Sequence, residues 1–160
     1  MKKVLVAIDG SEGALKAVDY VGRQFAGTTD LKIVLFHVSP GIPPELWDDG
    51  HILSEEEKTA RERVLDKWLN NQKLQLESIF QPAVETLTKR GIEAKQIETK
   101  SASESIRNTP ECILTEAKTG GYLTLVMGRC GLHRTAHALL GSTVSKILNG
   151  GAEIATCVVE

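Results

Sequence analysis

Short, continuous apolar runs recur along the chain and predict the strands of a sheet. Runs at 4–8, 31–38 and 122–127 are rich in Val, Ile and Leu, as in parallel strands that are covered on both faces. A similar run at 154–159 predicts a last strand, and the weaker alternation at 92–99 is typical of a half-exposed edge strand. The pattern therefore predicts five strands.

Four stretches with helical character separate these strands. The first follows Ser11, a suitable N-cap, and is predicted to end at Gly27. The second starts at the capping box that Ser54 opens and extends to about Arg90. The last is predicted over 142–148.

Prolines affect two of the predicted helices. Proline inside a helix costs ~3 kcal/mol, so Pro82 predicts a kink or a break in the second helix near Gln81. The third helix lies within 103–119 and contains Pro110. Because proline is best tolerated in the first turn, we expect regular helix from about Thr109, with Pro110 in its first position.

This alternation of strands and helices predicts the fold class. Right-handed crossovers between successive strands give an open parallel α/β sheet with helices on both faces. We expect residues 1–160 to form one domain, with an ordered excursion at about 40–53 between the second strand and the second helix. In such folds, ligands bind beyond the carboxyl ends of the strands, at the point where the winding reverses.

Composition and charge argue against nucleic acids and membranes as partners. The net charge of −2 provides no broad positive field, so we expect no nucleic-acid binding. No apolar run approaches the ~20 residues that span a bilayer, so we expect no membrane association. The apolar run at 4–8 is too short for the core of a signal peptide, which predicts a cytoplasmic protein.

The strongest candidate for chemistry is a glycine pattern after the fourth strand. Gly128, Gly131 and the pair Gly141-Ser142 form the spacing Gly-x2-Gly-x9-Gly-Ser. Glycines let main-chain N–H groups approach an anion closely, and a helix beginning at Ser142 directs its free amides and its positive end to the same place. The pattern predicts a polyphosphate site. Glycines that serve only to form tight turns would produce the same sequence pattern.

Several motifs together resemble the universal stress protein (UspA-like) family. They are the first-strand end Val6 to Ser11, the second-strand end Phe36-His37-Val38, and the glycine pattern from Met127 to Thr143. The resemblance extends over nearly the whole chain. It implies a Rossmann-like, adenine nucleotide alpha hydrolase-like sheet in the order 3-2-1-4-5, a homodimer paired through the C-terminal edge strand, and ATP, with or without Mg²⁺, at the strand ends.

The same resemblance assigns roles to individual residues. Asp9 would accept hydrogen bonds from the ribose or adenine, the main chain of Val38 would meet the adenine edge, and Met127 would line the base or ribose pocket. Arg129 would add charge, while the glycines and hydroxyl residues would hold the phosphates. The complete nucleotide-binding set comprises Ala7, Ile8, Asp9, Val38, Met127, Gly128, Arg129, Gly131, Gly141, Ser142 and Thr143.

The resulting prediction is an ATP-binding stress-response or regulatory module with weak or no hydrolysis. The chain has no GxxxxGK[ST] motif and no convincing catalytic set at the strand ends. Two alternatives stay open. The first is a slow adenine-nucleotide hydrolase, for which His133, Arg134 or His137 would have to act near the phosphates. The second is a nucleotide-free dimeric interaction module.

Overall fold

Five parallel strands form one sheet in the order β3-β2-β1-β4-β5, as expected. The computed structural model describes residues 1–48, 50–104, 107–131 and 140–160. The strands are β1 (Lys2–Ala7), β2 (Leu31–Ser39), β3 (Ile97–Ser103), β4 (Thr124–Gly128) and β5 (Ala155–Val159). The helices are α1 (Glu12–Phe25), α2 (Glu55–Lys89), α3 (Thr109–Thr119) and α4 (Ser142–Gly150).

An aliphatic core covers each face of the sheet. On one face, α1 and α2 pack against Val4, Val6, Ile33 and Leu35, which are almost completely buried. On the other face, α3 and α4 pack against the alternate side chains of the same strands. This arrangement explains the unbroken apolar runs, because both sides of each central strand face a layer of helices.

The carboxyl edge of the sheet is stepped. Strand β1 ends at Ala7, which pairs with Phe36 on one side and with Met127 on the other. Strand β2 continues beyond Phe36 to Ser39 and remains paired with β3 up to Ser103. The ends of β2 and β3 therefore form a two-stranded ledge beside the shorter β1. We call residues 37–39 and 101–103 the ledge.

A kink or a break is expected near Gln81, and the break is wrong, because α2 is continuous from Glu55 to Lys89. Pro82 is exposed, whereas Ala83 and Leu87 next to it are fully buried against the core. Ile79 and Phe80 before the proline also pack against this core, so packing on the inner face holds the helix on both sides of Pro82.

The third strand was predicted too early. Residues 94–96 form a 3₁₀ turn, and regular pairing begins only at Ile97. The Gln96 side chain is buried and donates to the carbonyls of Thr28 (2.7 Å) and Leu31 (3.1 Å), which ties this turn to the start of β2. The predicted edge position of the strand is confirmed.

Helix α3 begins at Thr109 as predicted, with Asn108 as N-cap, but Pro110 occupies the second helical position and not the expected first. Among the described residues, no helix is both long and apolar enough to cross a membrane.

Candidate functional site

A cleft of about 570 Å³ opens at the step in the sheet. Its floor is the end of β1, and it lies between the ledge on one side and the β4–α4 connection on the other. This is the point where the chain, after winding outward to β3, crosses to β4 on the opposite side of β1. The volume lies within the range of small-molecule sites, and the position is the one where doubly wound sheets bind ligands.

The ledge presents main-chain groups to the cleft. Phe36 O accepts a hydrogen bond from Ile8 N (2.8 Å), so the polar groups of Phe36 face β1. Because these groups alternate along a strand, the N–H and C=O of Val38 point to the same side, above the end of β1. The ring of His37 donates from Nδ1 to Ile8 O (2.8 Å), which leaves Nε2 as the acceptor of the neutral ring.

Opposite the ledge, the glycines after β4 meet the start of α4. Gly141 N donates to Arg129 O (2.9 Å), so the two halves of the glycine pattern are in direct contact. A Cβ on Gly141 would lie 3.2 Å from that same carbonyl, and a Cβ on Gly131 would collide with the Asp9 carboxylate. Both stretches line the cleft, which therefore has one end built mainly from main chain.

Helix α4 starts differently from the other three helices. The side chains of Ser11, Ser54 and Asn108 cap α1, α2 and α3. The N-cap of α4 is Gly141, and no side-chain cap is found at this helix in the part of the chain that the structure describes. The N–H groups of the first turn, at 142–144, have no partner within the helix. All three residues line the cleft, so these donors and the positive end of α4 favour an anion there.

Asp9 lies between the two ends of the cleft. Its Oδ1 accepts a hydrogen bond from Ser11 N (3.0 Å), and its Oδ2 lies against Gly131. The carboxylate is therefore held at the rim of the glycine-rich end. This places Asp9 within reach of a ligand that extends from the glycines toward the ledge, and it supplies an oxygen of the kind that Mg²⁺ prefers.

Most of the predicted binding residues lie together. All of them except Arg129 line the cleft, including Ala7, Ile8 and Met127 on its apolar floor. Arg129 borders a neighbouring hollow with Lys16 and Glu160, and its Nε lies 3.6 Å from Glu160 Oε1. The structure thus does not bring Arg129 to the cleft. His133, Arg134 and His137 lie outside the described residues.

Sequence analysis used His37 only as part of the second-strand end, and it missed the other polar side chains at the ledge end. His37, Gln75, Ser78, Glu104 and Thr109 line this end, and they come from β2, α2, the β3–α3 connection and α3. Residues so distant in sequence form no local motif. Only His37 and Glu104 could have been found from the sequence, because each is a polar residue that follows the apolar part of a strand.

Comparison with known proteins identifies the family. The model of the universal stress protein family matches residues 1–151. A search of curated proteins by sequence finds no match. A solved universal stress protein in complex with cAMP is 20% identical, covers 99% of this chain and 97% of its own, and has a TM-score of 0.66. For UspA from Lactobacillus plantarum the identity is 15%, the coverage 99% and 97%, and the TM-score 0.64.

A universal stress protein from Archaeoglobus fulgidus is also similar, with 16% identity, coverage of 100% and 94%, and a TM-score of 0.61. At these identities, the structural likeness establishes the fold, while the family model spans nearly the entire sequence. The parallel sheet in the order β3-β2-β1-β4-β5, with helices on both faces, has the α/β fold of these universal stress proteins. The chain belongs to the universal stress protein family.

Proposed function

We propose that the cleft binds an adenine nucleotide, with ATP as the principal ligand, and that the protein is a nucleotide-dependent stress-response module of the cytoplasm. The observation that carries this proposal is the contact between Gly141 N and Arg129 O, which joins the two glycine stretches into one wall beside the free amides of α4. Main-chain N–H groups at a helix start are well suited to phosphate oxygens. The triphosphate would therefore lie at this end, and the base would lie at the ledge.

The charge of the cleft supports main-chain recognition of the phosphates. Among the described residues that line the cleft there is no Lys or Arg, whereas Asp9 and Glu104 contribute carboxylates. Neutralisation of the phosphates would thus depend on amide dipoles and on Mg²⁺ bound with the nucleotide, for which Asp9 offers a carboxylate ligand.

Hydrolysis would be weak. Activation of water needs a polar group within hydrogen-bond reach of the attacked phosphate. Asp9 is the one titratable side chain among the described residues at the glycine-rich end that suits this task, and its Oδ1 is already engaged by Ser11 N. Binding and release of the nucleotide, rather than its turnover, would then set the state of the protein.

A second copy of the chain would pair along β5. This strand is the outer strand beside β4, and Cys157, Val158 and Val159 on it are only half-buried. An apolar edge strand exposes unpaired N–H and C=O groups that favour pairing with another strand. We propose a homodimer formed through this edge, and we propose neither nucleic acid nor membrane as a partner.

Calorimetric titration tests the proposed ligand. Nucleotide-stripped protein is titrated with ATP, AMP, GTP and cAMP, the last because one solved universal stress protein was obtained in complex with it. We expect saturable binding of ATP with one site per chain, weaker binding of AMP because it lacks two phosphates, and little heat with GTP. Release of ADP is then followed for several hours.

The alternatives give different results in this experiment. Rapid release of ADP would establish the hydrolase instead. Absence of heat with all four nucleotides would leave the nucleotide-free interaction module. Tighter binding of cAMP than of ATP would show that the glycine-rich end does not recognise a triphosphate.

A further inference from the structure

The ledge end of the cleft contains one carboxylate in a fixed position. Glu104 directly follows β3, and its N–H donates to Ser39 O (2.9 Å), which fastens it to the end of β2. Its side-chain Oε1 accepts hydrogen bonds from Thr109 N (2.6 Å) and from the Thr109 hydroxyl. One oxygen is thus held by the start of α3, and the side chain is half-buried in the cleft wall.

The distance across the cleft places Glu104 beside the base of a bound nucleotide. From β4, which carries the glycines, to β3, which carries Glu104, there are three strand spacings, or about 14 Å. A nucleoside triphosphate with its phosphates on the first turn of α4 would extend across β1 toward the ledge. Val38, whose main chain points into the cleft, lies on the strand between β1 and β3.

We propose that Glu104 determines base specificity by accepting a hydrogen bond from the 6-amino group of adenine. This inference rests on the proposed function, since it assumes that a nucleotide occupies the cleft. An ionised carboxylate only accepts hydrogen bonds. The 6-amino group of adenine donates, whereas the 6-oxo group of guanine or hypoxanthine accepts. A 6-oxopurine would place two acceptors against each other in a partly buried site, so Glu104 both selects adenine and rejects guanine.

The substitution Glu104→Gln separates recognition from support of α3. The amide oxygen of glutamine still accepts the bonds from Thr109, while the second oxygen becomes an N–H₂ donor. A purely structural role would change stability and leave the discrimination between bases intact.

The test is a double-mutant cycle between protein and ligand. The Glu104 carboxylate is removed from the protein and the 6-amino group from the nucleotide, separately and together. ATP and purine riboside triphosphate, which lacks the 6-amino group, are titrated into the wild-type protein and into E104Q. A hydrogen bond to a charged group is worth about 10-fold or more in affinity. We expect the preference for ATP over the analogue to fall by about 10-fold in E104Q.

Glu111→Gln is the matched control. Glu111 also accepts a main-chain hydrogen bond at the start of α3, from Asn108 N (3.2 Å), but it does not line the cleft. The E111Q protein should retain the wild-type preference. ATP binding with the same preference in E104Q as in the wild type would overturn the role of Glu104 and leave the proposed function intact. If the wild-type protein binds neither nucleotide, the proposed function itself falls.

Discussion

The two ends of the cleft present different kinds of groups to a ligand, main-chain amides at one end and side chains at the other. At the glycine-rich end, the groups available to a ligand are the main-chain amides at 142–144, which lie beside the main chain of 130–131. At the ledge end, they are side chains from four separate segments, with Glu104 and His37 each fixed by a hydrogen bond to another segment. In the proposed function, the first end would recognise charge and be indifferent to the base, whereas the second end would distinguish one donor–acceptor pattern from another.

This difference indicates how the two ends respond to mutation. A main-chain donor is removed only by proline, so ordinary substitutions at the glycine-rich end act through packing. A side chain at the ledge can be changed singly, and under the proposed function we expect its loss to alter selectivity before it alters the fold. The following predictions use this contrast, in order of expected effect.

The largest effect is expected for Gly128→Val, and it is an effect on folding. A Cβ at this position would lie 2.5 Å from both C and O of Gly13, which is main chain of α1 and cannot give way as a flexible side chain would. We expect a loss of about 3 kcal/mol in the free energy of unfolding, because overpacking here forces α1 from β4. Urea unfolding followed by circular dichroism measures it.

Thr143→Val is the control for Gly128→Val. Thr143 is half-buried in the wall of the same cleft, and valine has a similar volume and the same branching at Cβ, so the free energy of unfolding should change by about 1 kcal/mol or less. A G128V protein as stable as this control would mean that β4 and α1 are not in close contact. It also follows that lost binding in G128V would say nothing about the phosphates.

The next effect is expected for Ser142→Pro, which removes one amide at the start of α4. Gly141 has φ −62° and ψ 155°, an extended conformation that suits a residue before proline. Proline is also favoured in the first position of a helix, so the fold should be preserved. We expect ATP affinity to fall by about 10-fold or more, the value of one hydrogen bond to a charged group. Calorimetry measures the dissociation constant.

Ser142→Ala is compared in parallel, since it retains the amide and removes only the hydroxyl. Its affinity should remain within about 3-fold of the wild type, because the exposed hydroxyl is the minor contributor. Equal losses in the two variants would assign recognition to the side chain and contradict the main-chain nature of this end.

The smallest effect is expected for Asp9→Asn. Asparagine retains the oxygen that accepts from Ser11 N and removes the charge. If the second oxygen accepts from the ribose, ATP affinity should fall by about 3- to 10-fold, because the amide nitrogen that replaces this oxygen donates hydrogen bonds and cannot accept one. Titrations with and without Mg²⁺ measure this effect. An increase in affinity without Mg²⁺ would instead mean that the carboxylate faces the phosphates and repels them.

The sequence predicted most of the fold, because its strands are covered on both faces and therefore apolar throughout. Only the edge strand β3 was misplaced. Its residues Glu98 to Ser101 are exposed and polar, so the hydrophobic pattern there does not follow the backbone. At Pro82, the local cost of a proline was outweighed by packing of the neighbouring turns.

The glycine-rich end of the candidate site was easier to predict from the sequence than the ledge end. Main-chain recognition requires glycines at particular positions, and Gly128, Gly131 and Gly141 are visible in the sequence. Side chains such as Gln75 and Glu104 become neighbours only when α2 and the β3–α3 connection fold over the sheet. Arg129 shows the converse, since it lies within the motif but its side chain borders another hollow.

The early end of β1 deprives β2 of a neighbour just where Val38 turns its polar groups toward that side. The edge of a purine base bound there would form hydrogen bonds with the N–H and C=O of Val38. These are the bonds that two more residues of β1 would otherwise have made. Base recognition would then depend on the point at which regular pairing between β1 and β2 stops, and a longer β1 would occupy the main-chain groups that the base needs.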